Sequence, residues 1–156
     1  MPDRAETARQ VIADNLYLSL GTADAAGTPW VTPVFFSPDG YTDYYWVSSP
    51  DTQHSRNLTE RAEVGIAIFD THAVVGAAEA VYFKATARQV PDEKLPSALA
   101  IYNNRLPEAK HFELAELLAP AGFRLYRATV VEQSVLVRGG DPELGKGADS
   151  RLIVTL

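Results

Sequence analysis

Residues 29–57 read PWVTPVFFSPDGYTDYYWVSSPDTQHSRN, and how this stretch is divided decides the fold. Two apolar runs rich in β-branched and aromatic residues, Pro29–Phe36 and Tyr41–Ser48, flank Ser37-Pro38-Asp39-Gly40. Proline fixes φ and glycine closes a turn, so the tetrapeptide predicts a hairpin connection between two strands. Two serines, Pro50-Asp51 and His54-Ser55-Arg56-Asn57 follow at once. Those residue types start helices and face anions. An apolar floor beside a basic, hydroxyl-rich rim suits a flat ligand with a phosphorylated tail.

Towards the N-terminus, Asp3 and Glu6 have capping-box spacing, and Ala5, Ala8, Val11 and Ile12 recur at helical intervals. They predict a helix over 4–14, within an N-terminal helical segment 1–15. Leu16, Leu18 and Leu20 alternate with Tyr17, Ser19 and Gly21 as in a strand, and 23–28 is the turn that follows. Pro33 lies inside the next run, Trp30–Phe36. It cannot donate to a ladder, so it implies a sheet edge, a bulge, or backbone facing something else.

Towards the C-terminus, Asp51 is positioned to cap a short helix over 52–61, with Leu58 as its buried contact. Alternation predicts strands at Val64–Phe69 and Val81–Arg88, separated by a loop over 70–78. A helical insert spans 91–118, opening at Pro91-Asp92-Glu93, broken at Pro107 and resuming over 110–118. Phe123–Val131 and Ser134–Val137 read as the sixth and seventh strands, and Arg151–Leu156 as the last. Seven or eight short strands in meander order argue for a closed antiparallel barrel with peripheral helices rather than a parallel sheet.

The 156 residues predict one domain. A net charge of −6 speaks against a general nucleic-acid binder, and no apolar run has membrane-spanning length. There is no cysteine, which excludes disulfides and thiolate metal sites and fits a reducing compartment, so a cytoplasmic location is expected. His54, His72 and His111 have no ligand spacing, so no metal is expected. No strained Gly-x-Ser-x-Gly elbow, dinucleotide fingerprint or P-loop is present. The cluster of Ser48, Ser49, His54, Arg56 and Asn57 remains. Its plain alternative is a polar surface helix in which Arg56 pairs with Glu60.

From Leu16 to about Val90, the ordered set LYLSLGT, AGTPWVTPVFF, YYWVSSPDTQHSRNL, AEVGIAIFD and AVYFKATARQV resembles the pyridoxamine 5′-phosphate oxidase-like, FMN-binding split-barrel superfamily. The resemblance implies a mainly β fold, a six-stranded antiparallel Greek-key split barrel acting as a homodimer, with flavin at the subunit interface. It implies that Trp30, Val31, Thr32, Pro33 and Val34 line the flavin ring. Val47, Ser48 and Ser49 would meet the ribityl chain and phosphate, and His54, Arg56 and Asn57 would begin the helix beneath it. His54 falls where the family usually has a phosphate-binding lysine. Val34 and Pro29 replace a lysine and an arginine of the vitamin B6 oxidases, and their C-terminal Arg-x-His is missing. The expectation is therefore an FMN-dependent oxidoreductase other than a true vitamin B6 oxidase. An F420-dependent reductase and a non-catalytic flavin- or haem-binding module are the alternatives.

Overall fold

The computed structural model describes residues 3–156; Met1 and Pro2 of the expected segment 1–15 lie outside the described residues. Helix α1 (Arg4–Asp14) leads into strands β1 (Tyr17–Ala23), β2 (Pro29–Phe35), β3 (Ser37–Asp39) and β4 (Asp43–Ser48). Helix α2 (Gln53–Glu60) follows, then β5 (Glu63–Phe69), β6 (Ala80–Gln89), α3 (Leu95–Asn104), β7 (Arg124–Val137) and β8 (Ser150–Ile153). All strand pairs are antiparallel, in the order β2-β1-β5-β6-β7-β4-β3, with β8 added to β7.

Several expectations need correction. The sequence Ser37-Pro38-Asp39 is a short strand and not a turn; it pairs with β4, and Gly40, at φ 55°, closes that tighter hairpin. The runs Pro29–Phe36 and Tyr41–Ser48 are therefore not hairpin partners. They lie near opposite ends of the strand order, and the crossing from β4 to β5 breaks the simple meander. The expected sixth and seventh strands are one 14-residue strand, β7, and the sheet has eight strands against the six implied by resemblance. Segment 110–118 forms 3-10 turns at Glu108–Lys110 and Leu114–Leu117 instead of an α-helix. Thr52 caps α2, where Asp51 was expected. Asp3 does cap α1, accepting from the Ala5 N–H, but Glu6 turns to Arg9.

Alternation explains the curl. Leu18 and Leu20 on β1, Ile66 and Ile68 on β5, and Val81 and Phe83 on β6 point inward with Tyr44 and Trp46 of β4. Ala8, Val11 and Ile12 of α1 join this interior cluster. The opposite face of β4 carries Tyr45, which packs with Leu95, Leu99 and Tyr102 of α3 and with Leu117 and Leu125. Strand β4 is thus covered on both sides, which accounts for its unbroken aromatic run. Pro33 lies on the edge strand β2, opposite Ser19, where a missing N–H is tolerated.

Arg105, just past α3, joins three parts of the chain. Its guanidinium donates to the carbonyls of Phe36 (2.7 Å), Ile12 (3.1 Å), Ala13 (3.3 Å) and Asn15 (2.6 Å), and lies 4.3 Å from the centre of the Phe36 ring. It satisfies carbonyls that the end of α1 leaves unpaired. Arg105→Ala is expected to lower stability by at least about 2 kcal/mol, and a urea-unfolding midpoint unchanged from the wild type would contradict this role.

Candidate ligand site at the start of the second helix

Helix α2 starts directly after β4, and the turn between them is held from within. Thr52 N and Thr52 Oγ1 donate to the Ser49 carbonyl at 3.3 and 2.9 Å. Thr52 Oγ1 also accepts from the Ser55 N–H at 3.4 Å and lies 2.8 Å from Ser55 Oγ. His54 Nε2 is 2.8 Å from Ser48 Oγ and 3.2 Å from Thr52 Oγ1. Ser48, His54 and Ser55 are buried. Burial lowers the His54 pKa below its ordinary 6.5, so the imidazole is neutral at pH 7.

The expected site residues divide by orientation. Ser48, Ser49 and His54 come together at the turn. Asn57 faces inward, donating to Thr22 Oγ1 at 3.0 Å and accepting from Gln53 Nε2 at 2.7 Å, so it ties α2 to β1. Arg56 is exposed and donates to the Asp51 carbonyl and, at 3.1 Å, to Gln53 Oε1. No bond from Arg56 to Glu60 forms. On β2, Trp30, Val31 and Pro33 are exposed, Thr32 is half-buried and Val34 is buried. Val47 is half-buried and packs with the α3 cluster. Strand β2 also packs against β4, so both segments border one region. Among candidate aromatic platforms, Phe36 and Trp46 are fully buried in the core and Trp30 is half-exposed.

Thr52, Ser55 and Thr22 belong to this polar cluster and were missed as site residues. The interval Thr52-x-x-Ser55 before an apolar Leu58 is a local signal for the first two. Nothing local marks Thr22, 35 residues from its partner. Among the described residues, no group of three or more His, Asp or Glu could hold a metal ion, and no helix is long and apolar enough to cross a membrane.

A curled antiparallel sheet, plugged by a helix and carrying a polar cluster after its fourth strand, defines a protein of the split-barrel class. The chain belongs to the pyridoxamine 5′-phosphate oxidase family, whose sequence profile matches residues 5–133. It matches no curated protein at a significant level. Among solved structures it is similar to a haem-binding protein from Mycobacterium smegmatis, with 21% identity and a TM-score of 0.72, over 98% of this chain and 59% of that one. The chain thus spans well under two-thirds of that relative. It is also similar to an FAD-binding protein from Mesorhizobium loti, with 18% identity and a TM-score of 0.63, over 81% of this chain and 87% of that one. An F420 reductase shares 19% identity at a TM-score of 0.60, over 86% of this chain and 98% of that one. Identities this low establish a shared fold.

Because the folded His54 pKa lies below the unfolded value near 6.5, the unfolded chain binds the extra proton first as pH falls. His54 should therefore cost stability as pH drops below about 6.5, with the loss levelling off once pH passes the folded pKa. Urea midpoints measured across this window should fall more steeply for the wild type than for His54→Gln; parallel curves would show that His54 does not carry the effect.

Proposed function

We propose that the chain is an FMN-dependent oxidoreductase, a homodimer passing hydride or electrons between a reduced donor and a small organic acceptor. The reading is carried by one juxtaposition: an apolar edge strand, β2, beside the hydroxyl cluster at the start of α2, in a chain of an oxidase family. The donor set fits a phosphomonoester in kind. Ser48, Ser49, the first turn of α2 and Arg56 would hold the phosphate, with His54 and Asn57 behind them. Trp30, Val31, Thr32, Pro33 and Val34 would border the ring, and Val47 the ribityl chain. Bound flavin would supply the redox chemistry, while these residues orient it and exclude water.

Other observations favour this over the alternatives. The surface beside Arg56 is lined by Asp24 and Glu60, which suits the acidic tail of F420 poorly. A haem at this site would need an axial ligand from it, and its one histidine, His54, already has Nε2 facing Ser48 and Thr52. Arg105 is committed to main-chain carbonyls, so it offers no clamp for a vitamin phosphate. The whole chain would act as one domain, and its lack of cysteine suits the cytoplasm.

The dimer would form on the outer face of β1, β5 and β6. There a concavity of about 530 Å³ is lined by Gly21, Val31, Gly65, Tyr82, Lys84 and Arg151. Exposed Val31 and Ile153 make part of its lining apolar. A Cβ on Gly65 would meet nothing within 4 Å inside the chain. Gly65→Arg should therefore fold normally and elute as a monomer while the wild type elutes as a dimer; light scattering that reads a dimer for both would place the interface elsewhere.

The purified protein should show flavin absorbance at one FMN per subunit. A Soret band would favour haem, and a colourless protein that takes up only F420 would favour the deazaflavin. His54→Ala combined with Arg56→Ala should weaken FMN binding by at least about tenfold and leave riboflavin binding unchanged. Equal FMN affinity in the double variant would overturn the phosphate assignment.

A further inference from the structure

The two flanks of α2 differ in charge. On one, the concavity beside Arg56 is lined also by Asp24 and Glu60. On the other, a concavity of about 340 Å³ lies between the helix and the end of β6, lined by Ser55, Arg88, Gln89 and Tyr126, with Pro50 and Leu58 as its apolar wall. Among the described residues no carboxylate lines it, although the chain carries a net charge of −6. Thr59 also borders it, but its hydroxyl donates to the Arg56 carbonyl at 2.7 Å. Arg88 and Gln89 are exposed, whereas Ser55 and Tyr126 are buried. Among the described residues, Arg88 is the one arginine whose guanidinium meets no carboxylate, carbonyl or aromatic ring of the chain.

We infer that this concavity is a second anion site, separate from the flavin-phosphate grip, which takes the carboxylate or phosphate of a small organic molecule. A guanidinium with no partner offers its planar fork of N–H groups to two oxygens at once, which suits both of those groups. The Gln89 amide adds a neutral donor beside it, and Pro50 and Leu58 give the organic part an apolar surface. The volume is at the small end for a ligand pocket, so the occupant is a small molecule and not a dinucleotide. Burial, the largest of several influences, raises the Tyr126 pKa, so its hydroxyl stays uncharged and does not repel an anion. Of the two charges that act on Tyr126, Arg124 outweighs Asp51. None of this depends on whether the chain binds flavin.

The test titrates the full ¹⁵N-labelled chain with inorganic phosphate, phenyl phosphate and benzoate at neutral pH and constant ionic strength, with sodium chloride as the control. Amide and arginine Nε–H signals are followed. Those of Ser55, Arg88 and Gln89 should shift and saturate, with half-saturation below about 10 mM for at least one probe. Phenyl phosphate saturating first would assign a phosphate ester, and benzoate first a carboxylate. Arg88→Gln should weaken binding by at least about tenfold, and Gln89→Glu, which sets a carboxylate beside the arginine, should abolish it. Both positions are exposed, so neither change disturbs the core. Shifts that fail to saturate, or that chloride reproduces, would overturn the inference, as would unchanged binding in Arg88→Gln. The titrations are repeated with FMN present. Anion binding retained at Arg88 in the flavin-loaded chain supports two sites, whereas displacement by FMN would merge them and overturn the separation. A chain that binds the anion at Arg88 and takes up no FMN would sink the flavin reading and leave this one standing.

Discussion

One residue, Phe36, separates β2 from β3, yet these strands stand at opposite ends of the sheet order. The chain can meet both conditions only if the sheet bends round until its two ends are neighbours. Phe36 makes the bend from a fully buried position, its N–H donating to the Leu16 carbonyl at 3.2 Å. The interior that results is filled by side chains: Tyr44 packs between Phe36 and Phe83, and Trp46 stacks on Tyr126. Helix α1 plugs the space that remains, and Arg105 ties its end to the Phe36 carbonyl.

This closure produces the candidate site as a by-product. It leaves β2 with one unpaired edge, whose proline cannot donate and whose valine and tryptophan face outward. It also brings the end of β4, and with it the start of α2, to the same region. The helix is fastened to the barrel through Asn57 and Thr22, so the turn from Ser48 to Ser55 sits on a rigid base. Neutral hydroxyls dominate that turn. Two exposed arginines flank it, Arg56 on α2 and Arg88 in a concavity shared with Pro50 and Ser55, so recognition of an anion there would combine hydrogen bonds with local charge.

The insert after β6 has a structural part in this design. Leu95, Leu99 and Tyr102 cover the outer face of β4, while Arg105 reaches past them to the barrel corner. A vitamin-phosphate clamp would need such a cation free. Here it is a staple, committed to main-chain carbonyls.

Periodicity in the sequence determined most elements by itself. The alternation of Leu18 and Leu20, of Ile66 and Ile68, and of Val81 and Phe83 marks strands with one buried face, and Pro33 marks an edge. Asp3 marks the start of α1, and the ordered strands carried the family resemblance. These signals are local, so a short window of residues contains them. Only the tertiary structure decided that Ser37–Asp39 pairs with β4, that β7 runs unbroken through Glu132, and that His54 and Asn57 turn inward. Each of those outcomes depends on partners brought close by the closing of the sheet: Tyr102 for Ser37, β6 for the middle of β7, and Thr22 for Asn57. A contact 35 or 65 residues away leaves no mark on its neighbours in the sequence, and that is why the elements were legible while the orientation of their side chains was not.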